Sequence, residues 1–226
     1  MKQENGDVSW TASASLESQG VFGVAAPASA QGTVIAGFSS GELNAYRYEN
    51  GRSLWSDVLS RSSMTTSVSS LSDIDAEPVI DQGRVYAVGQ GGRMVAMDIA
   101  TGNRMWEQNI AGISTPWVAG EWLFVVTDDA RLLCLSRTSG KVRWIAPLKR
   151  YKNDKKPKDP WNWIGPVLAG GKLILGSTRG ELVFVSPTDG SVSSTIELKA
   201  PISLQPVVAN HMLYILDDKG RLTAFR

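Results

Sequence analysis

Of 226 residues only one is cysteine, Cys134, and only one is histidine, His211. A lone cysteine excludes an internal disulfide framework and a cysteine-built zinc cluster. A lone histidine excludes a histidine-rich metal centre. Charge of one sign is also missing. Lys and Arg number 23 against 22 Asp and Glu, a formal net of +1, so nothing draws the whole chain to nucleic acid or an anionic membrane. No run approaches the roughly 18 apolar residues of a spanning helix. The opening MKQENGD has no apolar stretch and does not read as a secretory signal. The expectation is a cytoplasmic protein or one whose targeting segment lies upstream. Catalytic patterns are lacking as well: no G-x-S-x-G, no phosphate-binding glycine loop and no metal-ligand spacing. His211 sits in the turn Ala209-Asn210-His211, without a nucleophile beside it. The expectation is no enzyme, no catalytic residues, no metal and no cofactor.

What is present is a repeat. Hydrophobic residues make up 42% and charged residues 20%, enough for an ordinary core without staples. Fourteen residues after each of Pro27, Pro78, Pro116, Pro166 and Pro206 stands a turn position: Gly41, Gly92, Ala130, Gly180 and Gly220. Ten residues after the first four of these come Gly51, Gly102, Gly140 and Gly190. Four residues later stand Trp55, Trp106 and Trp144, with Ser194 in the fourth copy. Between these marks polarity alternates with period two, as in Arg84–Val88 and Arg93–Met97. Each unit therefore reads as a short strand after the proline, two well-formed strands joined at the first turn by a two-residue hairpin, and an outer strand bearing tryptophan. A four-stranded antiparallel meander of this period is a β-propeller blade, and such blades are stable only in series. The fold class expected is all-β, a β-propeller with five blades' worth of sequence in one domain, 1–226. The last unit lacks its outer strand. Gly6 and Trp10 repeat the spacing of four, so the N-terminal segment is expected to supply that strand and cover a sheet edge.

Trp10, Trp55, Trp106 and Trp144 are read as blade packing rather than ligand contacts. Cys134 takes the slot of Ala45, Ala96 and Ala224, a small core position unsuited to a reactive thiol. Asp128-Asp129 and Asp217-Asp218 fall at equivalent hairpins, where aspartate favours the turn.

From the tryptophan position to the next proline the gaps are 23, 10, 22 and 12 residues. Long connections on one face are where partners bind. The first carries a Ser/Thr-rich stretch and then Leu71-Ser72-Asp73-Ile74-Asp75. Two carboxylates two residues apart on extended chain point the same way; the alternative is a solvated loop capping its own backbone. The second holds Lys149, Arg150, Lys152, Lys155, Lys156 and Lys158 against Asp154 and Asp159, then Pro160-Trp161-Asn162-Trp163. Lys149 to Lys158 is expected to be exposed, mobile and dispensable, with Trp161 and Trp163 docked back on the blade. A basic, aromatic segment suits headgroups, RNA or an acidic protein surface.

The T-G-x-x-x-W ending resembles the pyrroloquinoline-quinone-type propeller repeat. LSDIDAEPVI (Leu71 to Ile80), GRVYAVGQGGRMVAMD and the ending GRLTAFR resemble, more narrowly, the BamB family of the outer-membrane β-barrel assembly machinery of Gram-negative bacteria. The resemblance runs from about Val8 onward. It implies an eight-bladed, non-enzymatic propeller lipoprotein that binds no quinone. It is a monomer within a larger complex at the periplasmic face of the outer membrane, anchored by lipid, and touches no nucleic acid. It docks on the periplasmic domains of BamA and assists barrel folding and insertion. On this resemblance the chain is a C-terminal portion, short of roughly three blades. The family's contacts imply Leu71, Ser72, Asp73 and Asp75 as partner-binding residues. A second family contact aligns with Glu17 to Gly23, ESQGVFG, where the family's arginine is absent and Phe22 stands near its place. The alternative is a portion of a quinone-dependent dehydrogenase or ligand-sensing propeller, which would require calcium-ligating carboxylates and a catalytic aspartate.

Overall fold

The period-two segments become strands because their alternating side chains can meet a sheet on either side. The computed structural model describes residues 5–15, 25–59, 73–153, 155 and 157–226, and among these it holds 19 strands and no helix. They fall into two compact units, Met1–Ala111 and Gly112–Arg226.

The first unit contains two four-stranded sheets. One is ordered β1(Ala28–Ala30), β2(Thr33–Gly37), β3(Glu42–Arg47), β4(Ser53–Val58); the other β5(Val79–Asp81), β6(Arg84–Gly89), β7(Arg93–Asp98), β8(Arg104–Gln108). Every neighbouring pair is antiparallel. The short inner strands β1 and β5 approach each other, and Ile35, Leu43, Val85, Val95 and Met97 fill the space between the sheets.

The second unit contains β9(Trp117–Ala119), β10(Trp122–Thr127), β11(Arg131–Ser136), β12(Val142–Pro147), then β13(Trp163–Ala169), β14(Lys172–Ser177), β15(Glu181–Val185), β16(Val192–Glu197), and a three-stranded sheet of β17(Val207–Ala209), β18(Met212–Leu216), β19(Leu222–Phe225). One core lies between its first two sheets, around Phe124, Leu132, Leu173 and Leu175. A second joins Ile174, Leu182, Ile202 and Ile215. Middle strands such as β6 and β7 are buried almost throughout, whereas outer strand β16 is exposed along its whole length. That gradient is what stacked blades produce.

The repeat marks acquire a physical meaning here. Across the β3–β4, β7–β8 and β11–β12 ladders, Ala45 faces Trp55, Ala96 faces Trp106 and Cys134 faces Trp144, with a register shift immediately after. A small residue leaves room for the indole. Cys134 is fully buried, and burial pushes its thiol up to about 11, so it packs as an apolar group. At three of the four second glycines an upstream tryptophan lands. Gly51 lies under Trp10, Gly102 under Trp55 and Gly190 under Trp144. An added Cβ would come within 2.5, 2.6 and 2.8 Å of these indoles respectively. Each indole N–H also donates to the carbonyl three residues before its glycine: Trp10 to Tyr48 at 2.9 Å, Trp55 to Ile99 at 2.8 Å, and Trp144 to Pro187 at 3.2 Å.

Four sequence expectations need correction. The turn after the second strand of each blade has three residues, not two. Gly89 pairs with Arg93, and the Gly92 N–H returns to the Gly89 carbonyl at 3.3 Å. The last loop residue takes positive φ, which suits a three-residue hairpin. Ala130 adopts it too, at φ 61, and its buried methyl within the core offsets part of that cost. Secondly, β13 starts at Trp163, before Pro166, with its register shifting between Ile164 and Val167. Thirdly, the last sheet keeps three strands, and residues 6–15 form none. Trp10 nevertheless fills its packing slot, because the indole contact needs no ladder.

Finally, Lys149 to Lys158 is not uniformly free. Ser15, five residues after Trp10, donates to Glu42 at 2.6 Å, and Lys149, five after Trp144, meets Glu181 at 2.7 Å. Lys149 thus occupies a repeat slot at the start of the next blade's third strand. Its carbonyl accepts from the Trp163 indole at 2.8 Å, and the Arg150 carbonyl accepts from the Trp161 N–H at 2.8 Å. Trp161 and Trp163 dock as expected. Asp154 and Lys156 lie outside the described residues.

Replacing 152–158 with a short Gly/Ser linker should therefore leave Tm nearly unchanged. Lys149→Met should cost about 1–3 kcal/mol, because it strips a buried carboxylate of its cation while that cation is itself partly solvated. Denaturant midpoints of the two variants check this. Equal behaviour would show that Lys149 belongs to the loop rather than to the blade.

Candidate partner-binding site

From Asp73 onward the first long connection is tied to the fold. Its hold is mostly main chain. The Gln90 N–H donates to the Asp73 carbonyl at 2.9 Å, and the Ile74 N–H donates to the Phe38 carbonyl at 3.3 Å. Phe38 follows β2 and Gln90 follows β6, so the segment ties the ends of two neighbouring blades. Ile74, 2% exposed, is the wedge. It fits only because Gly37 has no side chain: a Cβ there would sit 2.5 Å from Ile74 Cγ2. A Cβ on Gly89 would lie 3.5 Å from Ile74 Cγ1, an ordinary van der Waals distance.

The same device recurs in the second unit. The Ile202 N–H donates to the Ser177 carbonyl at 3.0 Å, Asp218 donates to the Pro201 carbonyl at 3.0 Å, and a Cβ on Gly176 would lie 2.9 Å from Ile202 Cγ2. Both isoleucines stand four residues before a repeat proline, Pro78 and Pro206. That spacing was readable in the sequence and marks a structural role for Ile74.

The two carboxylates divide accordingly. Asp73 is 1% exposed, so it is not a solvent-facing contact as expected of an exposed pair. Asp75 is half-buried. Burial, and next the neighbouring Asp73 carboxylate, push the Asp75 carboxyl above the usual range. Leu71, Ser72, Phe22 and the Glu17 to Gly23 loop lie outside the described residues.

Other candidates resolve into structure. Asp129 accepts from Thr127 and from Arg131 Nε at 2.9 Å, and Asp217 accepts from the N–H groups of Lys219 and Arg221 at 2.9 and 3.0 Å. His211 is an exposed turn residue with φ 60. Gly140, like the other three repeat glycines, takes positive φ, 68; Trp106 is buried beside Tyr86, ring centroids 6.1 Å apart. Among the described residues no three His, Cys, Asp or Glu side chains are grouped to hold a metal ion.

The family model described as outer membrane protein assembly factor BamB matches residues 1–146 and 149–226. The chain belongs to the BamB family. It is 28% identical over 231 residues to the outer membrane protein assembly factor BamB of Yersinia pestis, covering 100% of this chain and 55% of that relative. It spans about half the length of the curated relatives it matches. The crystal structure of BamB from Moraxella catarrhalis superposes with a TM-score of 0.82 at 20% identity, over 97% of this chain and 63% of that one. The quinohemoprotein alcohol dehydrogenase from Comamonas testosteroni reaches a TM-score of 0.62 at 13% identity, over 89% of this chain and 41% of that one, a likeness of fold alone. The β-propeller class and the repeat are those of the BamB family.

The state of Asp75 generates a pH test. A carboxyl whose folded pKa is raised weakens the fold when ionised. That penalty is full above the folded pKa and vanishes as pH falls below the unfolded value near about 3.9. Asp75→Asn should therefore raise Tm at pH 7, and the gain should shrink to nothing near about pH 3. A gain independent of pH would mean that packing, not charge, sets it.

Proposed function

We propose that this BamB-family chain is a non-catalytic interaction scaffold of outer-membrane protein assembly. It acts at the periplasmic face of the outer membrane as a portion of a longer propeller, and it binds the periplasmic domains of BamA. The Asp73–Asp75 connection carries that contact. The observation behind this reading is the wedge at Ile74. Main-chain bonds to two blades and a glycine floor fix the connection, so Asp75 is held in place before any partner arrives. A preorganised contact loses little entropy on binding. The raised carboxyl gains from any cation that arrives, because ionisation is costly without one. Asp73, being buried, helps to shape the segment. The partner surface should accordingly be basic.

Asp75→Lys tests this in a pulldown with BamA periplasmic domains. Reversal of a charge at a desolvated contact should weaken binding by about tenfold or more, with Tm held. Undiminished binding by a folded Asp75→Lys protein would remove the contact from this segment.

A further inference from the structure

The second unit has a feature that the assembly reading does not use. Glu181 opens β15 with 5% exposure, deep for a carboxylate. Its Oε1 accepts from the Lys149 ammonium at 2.7 Å, while its Oε2 is buried without a hydrogen-bond partner. Beside it lies a cavity of about 150 Å³ whose walls include Pro147, Trp163, Val183, Val192 and Thr195. A buried charged acceptor left with half its capacity unused is costly unless something donates to it.

The dimensions narrow the occupant. Small-molecule pockets run to roughly 300–1,000 Å³, whereas one water takes about 30 Å³. This cavity fits one long side chain, not a metabolite. The chemistry narrows it further. An ionised carboxylate only accepts hydrogen bonds, so the occupant donates. The apolar walls suit a methylene stem, and the Thr195 hydroxyl adds a second acceptor. Lys149 is spent on Oε1, with 59% of its own side chain exposed. A carboxylate's four lone-pair sites admit a second donor on the other oxygen. Guanidinium is less hydrated than ammonium and presents a planar fork, so it is the cation best suited to this burial.

We propose that this cavity receives one arginine side chain of a protein partner, its guanidinium donating to Glu181 Oε2 and its stem lying against Pro147, Val183 and Val192. The site is separate from the Asp73–Asp75 connection and stands whether or not that connection binds BamA. Anionic and purely apolar side chains are disfavoured, the first by Glu181 and the second by its unused oxygen.

The probe is acetyl-Gly-Arg-Gly-amide, with the citrulline peptide as its neutral isostere. The readout is the assigned Trp163 indole N–H signal in ¹⁵N-edited NMR of the full chain. The arginine peptide should give a saturable shift, and the citrulline peptide should bind about tenfold or more weakly. Val192→Phe, at a half-exposed wall position, should block the cavity and abolish the shift with Tm unchanged. Glu181→Gln should weaken the arginine peptide to the citrulline level. Lys149→Met, which frees Oε1, should tighten it. Equal shifts from the two peptides, no saturable shift, or an unaltered response in a folded Val192→Phe protein would each overturn the proposal and leave the cavity a water site only.

Discussion

A tryptophan upstream of a blade lies over that blade's second glycine, and its indole N–H is bonded to the carbonyl three residues before that glycine. Trp10 on Gly51, Trp55 on Gly102 and Trp144 on Gly190 repeat this contact. Two constraints meet at the glycine. Its backbone takes positive φ, 69, 72 and 78 respectively, which any Cβ makes costly. Its missing side chain is also the seat of the indole. A four-stranded sheet with both faces apolar cannot stand alone, so a contact that fixes one sheet against the next is what makes the repeat a fold.

The remaining regularities follow from that contact. The small residue opposite each tryptophan, Ala45, Ala96 or Cys134, lets the indole reach outward from its strand, and the register shift after it turns the strand end. Five residues past the tryptophan, Ser15 and Lys149 reach the glutamate that begins the next blade's third strand. At Trp10 and Trp144 the joint is therefore double, once apolar and once polar. The isoleucine wedges at Ile74 and Ile202 add a third joint at the strand ends. The contact proposed at Asp75 sits on such a joint, where main-chain bonds hold Asp73 and Ile74 against two blades.

The repeat was legible because it is local: proline, glycine and tryptophan keep fixed offsets, and period two gives the strands. The family was legible from the run LSDIDAEPVI. What escaped depends on tertiary partners. Nothing around Lys149 distinguishes it from the basic residues that follow it; only Glu181, 32 residues away, does. Asp73 reads as an exposed loop carboxylate, yet its segment is bonded to the residues after β2 and β6 and the side chain is buried. The strand expected from Gly6 to Trp10 was inferred from a spacing that belongs to the indole contact rather than to a ladder. Hairpin length is not legible from the glycine alone, because one positive-φ glycine serves two-residue and three-residue turns alike.

The central claim is that the repeat glycine is required by the tryptophan laid on it, beyond its own backbone. A double-mutant cycle at Trp55 and Gly102, read by chemical denaturation, separates the two. In the wild-type background Gly102→Ala carries the positive-φ cost and the clash with the indole; with Trp55→Ala present, only the backbone cost remains. Gly102→Ala should then be cheaper by about 1–3 kcal/mol in the Trp55→Ala background. Equal costs in both backgrounds would contradict the account, leaving Gly102 a turn residue and nothing more.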